Sequence, residues 1–482
     1  MYTILPFNFA RCGGEVLLVN EGGVFTFVDA AIFEQFIHQR LDVHSEAFRD
    51  LESGLFAAAG DAAGAVRRTA ARYRSRMAFL RDFTALHMMV ITLRCNQRCA
   101  YCQVSCADED AARYDMPVAT AEKIVDFIFS SPTRCPKIEF QGGEPTLNWP
   151  AVTATVEKAE QLAARQGKDV EFVICTNLLA VTDAQLRYCR NHRIQISTSL
   201  DGPEALHDRC RIARAGGATH ARVLERLDRA RNILGGDGVS ALMTTTAYSL
   251  NHLRDVVDEY ARLGMDGIFI RSLNPYGFAA EDASTLGYRM EDFVKKYIDV
   301  LDYIIALNRR VYFPEYFATL LLTRMLTARS TGFVDLQSPS GAGISGAIYD
   351  FDGSVFPADE ARMLARMGDR HFCLGNVHRD SWEQIFAGPR LRALTRASCT
   401  ETTVPCAWCA YRAFCGTDPV RNYLESGNER RNMAGSPFCV KHKTIFNRLF
   451  SLVRHATEQE KDVIWSWITR NPELARREDR QG

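Results

Sequence analysis

The chain lacks a net charge, a long apolar run and any low-complexity segment. Its 58 basic residues match 58 acidic ones, so no overall field attracts nucleic acid or anionic lipid. Nowhere do about 18 apolar residues follow one another, as a membrane span requires. The opening residues show no basic segment followed by an apolar one, so export is not indicated. We therefore predict a cytoplasmic protein that binds neither nucleic acid nor membrane.

The composition, 47% apolar and 24% charged over 482 residues, indicates a globular protein of several domains. Its 15 cysteines are an odd number, which argues against a complete set of disulfides. Most of the scattered cysteines are expected to be small buried apolar residues. Seven others form two groups with ligand-like spacing, namely Cys95, Cys99 and Cys102, and then Cys406, Cys409, Cys415 and Cys439.

Short β-branched runs alternate with amphipathic helical patterns from residue 86 onward. The runs predict six strands, over 87–93, 137–141, 171–176, 194–200, 239–246 and 267–273. Strand and helix repeated in this way require a parallel sheet with right-handed crossovers. We therefore predict an α/β fold, a partial (β/α)6 TIM-like barrel whose chemistry lies at the carboxyl ends of the strands.

Other patterns divide the rest of the chain. Residues 1–84 predict a small α+β domain, a β-hairpin followed by helices, and residues 85–334 the barrel. Residues 335–445 are rich in turns, begin with the hairpin-like AIYDFDGSVFP and carry the second cysteine group. Residues 446–482 are amphipathic and predict a helical tail.

The first cysteine group, in LRCNQRCAYC, directly follows the first predicted strand. Each iron of a [4Fe–4S] cluster takes one thiolate, so three cysteines leave one iron open to a ligand from outside the protein. A zinc site completed by a fourth ligand, for which Cys106 is a candidate, is the alternative.

This CxxxCxYC pattern after the first strand of a six-unit β/α barrel resembles the radical S-adenosylmethionine (SAM) superfamily. The resemblance extends to the QGGEP segment after the second strand, Gln141 to Pro145. It implies that the backbone of Gly142 and Gly143, together with Glu144, holds the methionine ammonium of SAM. It also implies that the backbone near Tyr101 approaches adenine and that Gln141 points toward the substrate.

The segments SLDGP and HDRCR, after the fourth strand, resemble two further motifs of this superfamily. They imply that Ser199 and Asp201 lie near the SAM ribose or carboxylate and that Arg211 binds the carboxylate. A guanidinium suits this role because its fork matches a carboxylate. Thr176 and Asn177 occupy positions that often line the SAM pocket. The alternative for Asp201 is a simple turn, since Asp-Gly-Pro is good turn chemistry.

The resemblance also implies a reaction. The reduced cluster, with Cys95, Cys99 and Cys102 as catalytic metal ligands, would pass an electron to SAM, and the resulting 5′-deoxyadenosyl radical would take a hydrogen from the substrate. A low-potential donor, a flavodoxin or ferredoxin, would supply the electron.

The second cysteine group resembles the SPASM extension of peptide-modifying members, which usually holds two auxiliary clusters. Cys406, Cys409, Cys415 and Cys439 match the four ligands of one of them, whereas Ala358, Pro419 and the region near residue 343 lack the cysteines of the other. One auxiliary [4Fe–4S] cluster with complete protein ligation is therefore implied, with structural zinc as the alternative. Asp359 stands where sulfatase-maturing relatives place a proton-accepting catalytic aspartate; a surface hairpin residue is the alternative.

Enzymes with this extension mostly act on ribosomally made peptides. The amino-terminal domain resembles modules that capture a leader peptide as an added edge strand, with a packing role as the alternative. The opening LPFNFARCGGEVLLVNEGG and the missing cysteines resemble the B-type radical SAM maturases of His-Xaa-Ser systems. This implies a precursor peptide with His-x-Ser repeats and a companion radical SAM enzyme.

Two other functions remain open at this point. One is a sulfatase-maturase-like oxidase that makes formylglycine from Cys or Ser. The other is a non-catalytic, zinc-binding homologue, against which the retained cysteines, Glu144 and Arg211 argue.

Overall fold

A computed structural model describes residues 2–108, 110 and 112–475. Its strands are β1 (Thr3–Ile4), β2 (Phe7–Cys12), β3 (Glu15–Asn20), β4 (Phe25–Asp29), β5 (Ala57–Ala58), β6 (Leu86–Thr92), β7 (Gln97–Cys99), β8 (Lys137–Gly142), β9 (Glu171–Cys175), β10 (Ile194–Ser199), β11 (Arg211–Ala213), β12 (Val239–Thr244), β13 (Ile270–Arg271), β14 (Gly346–Tyr349), β15 (Ser354–Phe356) and β16 (Gly375–Asn376).

Its helices are α1 (Ala30–Ile37), α2 (Glu46–Ser53), α3 (Ala62–Arg76), α4 (Phe79–Asp82), α5 (Val118–Ser130), α6 (Trp149–Gln166), α7 (Asp183–Asn191), α8 (Glu204–Cys210), α9 (His220–Leu234), α10 (Leu253–Arg262), α11 (Phe278–Glu281), α12 (Ala283–Leu286), α13 (Met290–Leu307), α14 (Tyr316–Leu326), α15 (Asp359–Arg366), α16 (Trp382–Phe386), α17 (Pro389–Ala397), α18 (Pro419–Ser426), α19 (Pro437–His455), α20 (Glu458–Thr469) and α21 (Pro472–Ala475).

A central sheet of nine strands runs in the order β13-β12-β10-β9-β8-β6-β14-β15-β16. The strands from β13 to β14 pair in parallel, and β15 and β16 add antiparallel. The predicted α/β class with a parallel sheet is confirmed. The last of the six predicted strands is shorter than expected, because the backbone of Ile268 bonds to Pro314 and Tyr316 instead of to β12.

The parallel strands are buried on both faces, which explains their continuous apolar sequences. In β6, for example, Met89, Val90 and Ile91 are fully buried. The helices that follow the strands have sequence signals at their ends. For example, α7 begins with a capping box between Thr182 and Gln185. The loops at the carboxyl ends of the strands are therefore held on a rigid frame.

The amino-terminal region contains the predicted hairpin, β3 and β4, with β2 as a third antiparallel strand. Its side chains divide between two cores. Val16 and Leu18 pack into a local cluster with the aromatic side chains of α1 and α2, whereas Leu17 and Val19 join the main core. The region is thus firmly docked on the rest of the molecule, and β2 forms an outer edge of its sheet.

The third region also joins the central sheet, because β14 pairs in parallel with β6. The predicted hairpin there is present as β14 and β15. The predicted boundary at residue 445 falls inside α19, whose apolar face continues from Phe438 to Leu452. Residues 476–482 of the predicted tail lie outside the described residues. None of the helices among the described residues combines the length and the hydropathy of a membrane span.

Candidate active site at the carboxyl ends of the strands

The three cysteines of the first group lie on a loop that follows β6. Two flanking segments hold this loop in place. β7 pairs antiparallel with β11, with Cys99 opposite Arg211, and the carbonyl of Cys102 accepts a hydrogen bond of 3.0 Å from the N–H of Phe278. The sequence did not predict β7 or β11, because each is only three residues long and depends on its distant partner. This pairing brings the cysteines to the carboxyl edge of the sheet.

The surroundings of Cys99 and Cys102 disfavour the thiolate form of both side chains. Burial raises the pKa of Cys99 to about 12, although the nearby charge of Arg211 opposes this shift. The hydrogen bond that the Cys102 thiol donates to Cys106, together with burial, raises the pKa of Cys102 well above its usual range. Three soft thiol donors at an edge suit an iron–sulfur cluster, whose binding is coupled to proton release. No three Cys, His, Asp or Glu side chains among the described residues converge as ligands of a single metal ion do.

The glycine turn after β8 lies directly against the cysteine loop. The N–H of Gly143 donates to the carbonyl of Thr92 at 2.8 Å, and that of Glu144 donates to the carbonyl of Arg94 at 2.7 Å. A Cβ atom on Gly143 would lie 2.6 Å from the carbonyl oxygen of Leu93. Gly142, at φ +130°, has a conformation that favours glycine. The two glycines therefore allow the turn to lie against the backbone of the cysteine loop.

Glu144 is fully buried and ties the ends of β8 and β9 together. Its carboxylate accepts hydrogen bonds from the Thr176 hydroxyl at 2.7 Å, the Asn177 N–H at 2.8 Å and both the N–H and hydroxyl of Thr146. Burial raises its pKa, and these hydrogen bonds act in the opposite direction. The geometry thus gives Glu144 and Thr176 a positioning role. The Asn177 amide also lies 3.7 Å from Cys95 Sγ.

Tyr101, Asp201 and Arg211 form one buried network. The Tyr101 hydroxyl donates to Asp201 at 2.6 Å, and Arg211 Nε donates to Asp201 Oδ2 at 3.0 Å. Arg211 Nη1 lies 3.8 Å from Cys99 Sγ. Asp201 therefore turns the guanidinium toward the cysteine loop, where it could meet a carboxylate. Ser199, two residues earlier, ends β10 and is half-buried.

Two residues that the sequence did not single out support the cysteine loop. Arg214 Nε donates to the carbonyl of Cys95 at 3.0 Å, and its Nη2 donates to Cys106 Sγ at 3.5 Å. The one feature of the sequence that could have pointed to Arg214 is its position, three residues after Arg211. Gln97 is 1% exposed, and its Nε2 has no hydrogen-bond partner among the described residues. This amide is a donor available to a bound group.

Residues 89–260, which contain the cysteine loop, the glycine turn and the Asp201–Arg211 pair, match the model of the Radical SAM superfamily. The chain contains a radical SAM domain. The radical SAM cyclopropyl synthase TigE of Paramaledivibacter caminithermalis is 21% identical over 228 residues, 45% of this chain and 46% of TigE. The cysteine-type anaerobic sulfatase-maturating enzyme of Clostridium novyi is 21% identical over 383 residues, 76% of this chain and 94% of that enzyme. The chain spans about two thirds or less of several other curated relatives.

Solved structures share the fold. The anSMEcpe structure with bound AdoMet and Cp18Cys peptide has a TM-score of 0.60 at 19% identity, over 77% of this chain and 98% of the other. Streptococcus suis SuiB bound to precursor peptide SuiA has a TM-score of 0.55 at 13% identity, over 91% and 100%. At these identities the likeness shows the fold alone.

Near the radical SAM domain's strand ends, Gln141 and Asp359 approach a common polar region. Gln141 Nε2 donates to Glu139 at 2.6 Å, and Cys175 Sγ donates to the same carboxylate at 3.4 Å. Asp359 begins α15, pairs with Arg362 at 3.2 Å and contributes to raising the pKa of Cys175. Asp359 therefore lies on a helix, is half-buried, and is not part of the hairpin formed by β14 and β15.

The second cysteine group lies outside the matched residues and gathers four thiols. Burial and the neighbouring Cys409 and Cys439 raise the pKa of Cys406 to about 12. Burial and the other three cysteines raise the pKa of Cys415. Cys439 stands in the first turn of α19, where the Ser436 hydroxyl accepts its N–H at 3.1 Å. The four thiols therefore influence one another electrostatically, although among the described residues they do not converge as the ligands of a metal ion do.

The ion pair of Arg211 with Asp201 predicts that even a change of Arg211 to lysine weakens the binding of SAM. We expect Arg211→Lys to raise the dissociation constant for SAM about 10-fold or more, because an ammonium cannot reproduce the forked contact. Equilibrium dialysis of SAM against anaerobically reconstituted protein measures this. Arg209→Lys, at the exposed neighbour that lies over Tyr248, is the matched control. Equal affinity in the two variants would contradict the assignment.

Proposed function

We propose that this protein is a radical SAM enzyme that modifies a ribosomally made precursor peptide of a His-Xaa-Ser type system. It would take a hydrogen atom from the peptide and so lead to a crosslink, an oxidation or an epimerisation. One observation carries the proposal: the cysteine loop, the glycine turn and the Asp201–Arg211 pair meet at one edge of the sheet.

Each group of residues at this site has its own role in the proposed reaction. When bound, a [4Fe–4S] cluster on Cys95, Cys99 and Cys102 supplies the electron that cleaves SAM to methionine and a 5′-deoxyadenosyl radical. Arg211 holds the SAM carboxylate, and the glycine turn admits its ammonium. Glu144 keeps the ends of β8 and β9 in register. A flavodoxin or ferredoxin is the proposed donor that reduces the cluster before each reaction.

The amino-terminal region is our candidate for leader-peptide capture. Among the described residues, the outer edge of β2 has no strand partner, and β2 carries Phe9, a large apolar residue that is 47% exposed. A peptide could add there as a fourth strand, with backbone hydrogen bonds for affinity. The precursor peptide bound by SuiB supports a peptide substrate, and a companion radical SAM enzyme is a further proposed partner.

The test of this function combines two readouts. Reconstituted and reduced protein is incubated with SAM and a peptide containing His-x-Ser repeats, and 5′-deoxyadenosine and the peptide mass are measured. A loss of two hydrogens per site indicates a crosslink or desaturation, and an unchanged mass with deuterium from solvent indicates epimerisation. 5′-Deoxyadenosine formation without any peptide change would reject this substrate class.

A sulfatase-maturase-like oxidase is the second candidate, favoured by the alignment across 94% of the Clostridium novyi enzyme and by the position of Asp359 near the strand ends. A Cys- or Ser-containing sulfatase peptide would then gain an aldehyde. Asp359 would act as the proton acceptor in that reaction. If such peptides gain no aldehyde, the oxidase function is rejected and the modification of a precursor peptide remains as the proposed function.

We further propose one auxiliary [4Fe–4S] cluster on Cys406, Cys409, Cys415 and Cys439. Wild-type protein should then hold about eight irons per chain, and Cys409→Ala about four, because the cluster on the first cysteine group persists. Iron and zinc analysis of anaerobically purified protein measures this. About four irons and one zinc in the wild type would instead support a structural zinc site, and no iron would support the non-catalytic homologue.

A further inference from the structure

Gln97 is a buried polar side chain within the first cysteine group. It begins β7, two residues from both Cys95 and Cys99, and is 1% exposed. The pairing of β7 with β11, in which Gln97 stands opposite Ala213, fixes its backbone. Glutamine is mostly an exposed residue, because burial takes hydrogen bonds to water away from its amide. Packing alone therefore does not explain a glutamine at this position.

The backbone and the side chain of Gln97 both contact sulfur atoms. Its N–H donates to Cys95 Sγ at 3.4 Å, and its carbonyl oxygen accepts from Cys106 Sγ at 3.7 Å. Its side-chain Oε1 lies 3.7 Å from Cys99 Sγ, with the thiol as the donor. The side-chain amide is thus within hydrogen-bonding distance of a sulfur that we predict to bind iron.

The amide nitrogen is the unused half of the Gln97 side chain. Nε2 is buried, and among the described residues it has no hydrogen-bond partner. The nearby amide of Asn177 differs, because its Nδ2 donates to Asn96 Oδ1 at 2.7 Å. A buried donor without an acceptor costs free energy, and most buried donors in proteins have one. The free N–H group of Gln97 therefore indicates an acceptor that arrives with a bound group.

Iron binding at the cysteine loop would supply this acceptor. A cysteine sulfur that binds iron has lost its proton, so it accepts hydrogen bonds and no longer donates them. The contact between Cys99 Sγ and Gln97 Oε1 would then join two acceptors. Rotation about the last torsion of a glutamine side chain exchanges its oxygen and nitrogen, and this torsion has a broad, roughly two-fold preference. The N–H group can therefore take the place of the oxygen beside the sulfur.

A neutral donor at this position affects the charge of the cluster. The Arg211 guanidinium also lies near Cys99 Sγ, at 3.8 Å, but its charge is shared with Asp201, to which it donates at 3.0 Å. Gln97 has no such competing partner for its N–H group. Hydrogen bonds to the sulfurs are one of the means by which a protein sets the potential of an iron–sulfur cluster. They favour the reduced cluster, because it carries more negative charge on its sulfurs.

We propose that the side-chain amide of Gln97 donates a hydrogen bond to the Cys99 sulfur of the iron-bound first cysteine group and thereby raises the reduction potential of its cluster. This inference rests on the cluster of the proposed function and adds a positioning residue to it. Gln97 acts through Cys99 and makes the cluster easier for the electron donor to reduce.

The test is a redox titration, which needs neither SAM nor a peptide. The full-length chain carrying Cys409→Ala is reconstituted anaerobically and titrated with and without Gln97→Met, which keeps the length of the side chain and removes the donor. Electron paramagnetic resonance measures the reduced fraction at each potential. We expect Gln97→Met to lower the ratio of reduced to oxidised cluster at a fixed potential about 10-fold, which equals a midpoint about 59 mV lower.

Gln337→Met in the same Cys409→Ala chain is the matched control. Gln337 is also 1% exposed, but both ends of its amide have partners: Oε1 accepts from the Ser345 hydroxyl at 2.8 Å, and Nε2 donates to the Ser330 hydroxyl at 3.4 Å. This variant should leave the midpoint potential unchanged. In the metal-free proteins it should lower the unfolding temperature, whereas Gln97→Met should not, because the N–H group of Gln97 loses no partner.

Iron content establishes that each variant holds its cluster. Should Gln97→Met lose iron, Gln97→Asn is titrated instead; its amide is shorter by one methylene group, reaches Cys99 less far and should also lower the midpoint. Should both variants lose iron, pulsed electron paramagnetic resonance of the Cys409→Ala chain with isotopically labelled glutamine side-chain nitrogen decides. A nitrogen coupling to the reduced cluster that persists in Gln103→Met supports the proposal, and its absence overturns it.

The outcomes separate this inference from the proposed function. A loaded Gln97 variant with an unchanged midpoint overturns the role of Gln97 and leaves the proposed enzyme intact. If the chain with Gln97 in place forms no cluster, the proposed function fails and this inference fails with it.

Discussion

Replacing Cys99 by alanine is expected to abolish SAM cleavage and to lower 5′-deoxyadenosine formation at least about 1,000-fold, because a cluster with two thiolates cannot be held at the edge. The position of Cys99 makes this effect larger than a simple loss of one ligand. It pairs with Arg211 across β7 and β11, and the Arg211 guanidinium lies 3.8 Å from its sulfur. Loss of the cluster would therefore also remove the sulfur beside Arg211 and leave Asp201 as its charged partner.

The matched control for this prediction is Cys135→Ala, a half-buried cysteine outside both groups. It should retain wild-type iron and wild-type nucleoside formation. Iron content and 5′-deoxyadenosine are measured on the two variants prepared side by side under anaerobic conditions. Full nucleoside formation by Cys99→Ala would remove Cys99 from the site.

Gly143→Ala is expected to lower SAM-dependent 5′-deoxyadenosine formation about 100-fold, because the loops that hold cluster and SAM can no longer lie against each other. The new methyl group would lie 2.6 Å from the carbonyl oxygen of Leu93 and still closer to that of Arg94. Both oxygens belong to backbone that cannot turn aside. The cysteine loop would have to move by a distance that misplaces the reacting groups.

Gly60→Ala is the matched control, since a Cβ atom there meets nothing within 4 Å and its φ is not positive. It should retain both activity and SAM affinity. Circular dichroism and thermal unfolding report whether Gly143→Ala remains folded, since overpacking costs about 1–3 kcal/mol. A folded Gly143→Ala variant with wild-type activity would show that the close approach of the two loops is not needed.

The six parallel strands could be predicted because each is a continuous apolar run between helical patterns. The strands of the cysteine loop could not: β7 and β11 exist only because Cys99 and Arg211 face each other across long sequence separation. In the same way, the sequence of residues 335–445 predicted a separate unit that is rich in turns. Its strand β14 joins the central sheet through pairing with β6, which no local pattern signals.

The candidate site shows the same division between local and distant signals. The cysteine spacing and the glycine turn are local, so the sequence alone predicted these groups. Arg214 was missed because its importance comes from what the fold places beside it, the carbonyl of Cys95. Glu144 was predicted as a contact to a cation, which stays a prediction; the four hydrogen bonds that hold its carboxylate depend on the fold and could not be predicted.

The most direct test of the central claim is electron paramagnetic resonance of Cys409→Ala protein, reconstituted anaerobically and reduced, with and without SAM. This variant leaves the first cysteine group as the single cluster site of the proposal. The account predicts a reduced [4Fe–4S] signal whose g-values change when SAM is added, because SAM takes the open iron. A signal that SAM does not alter, or no cluster signal at all, would contradict it.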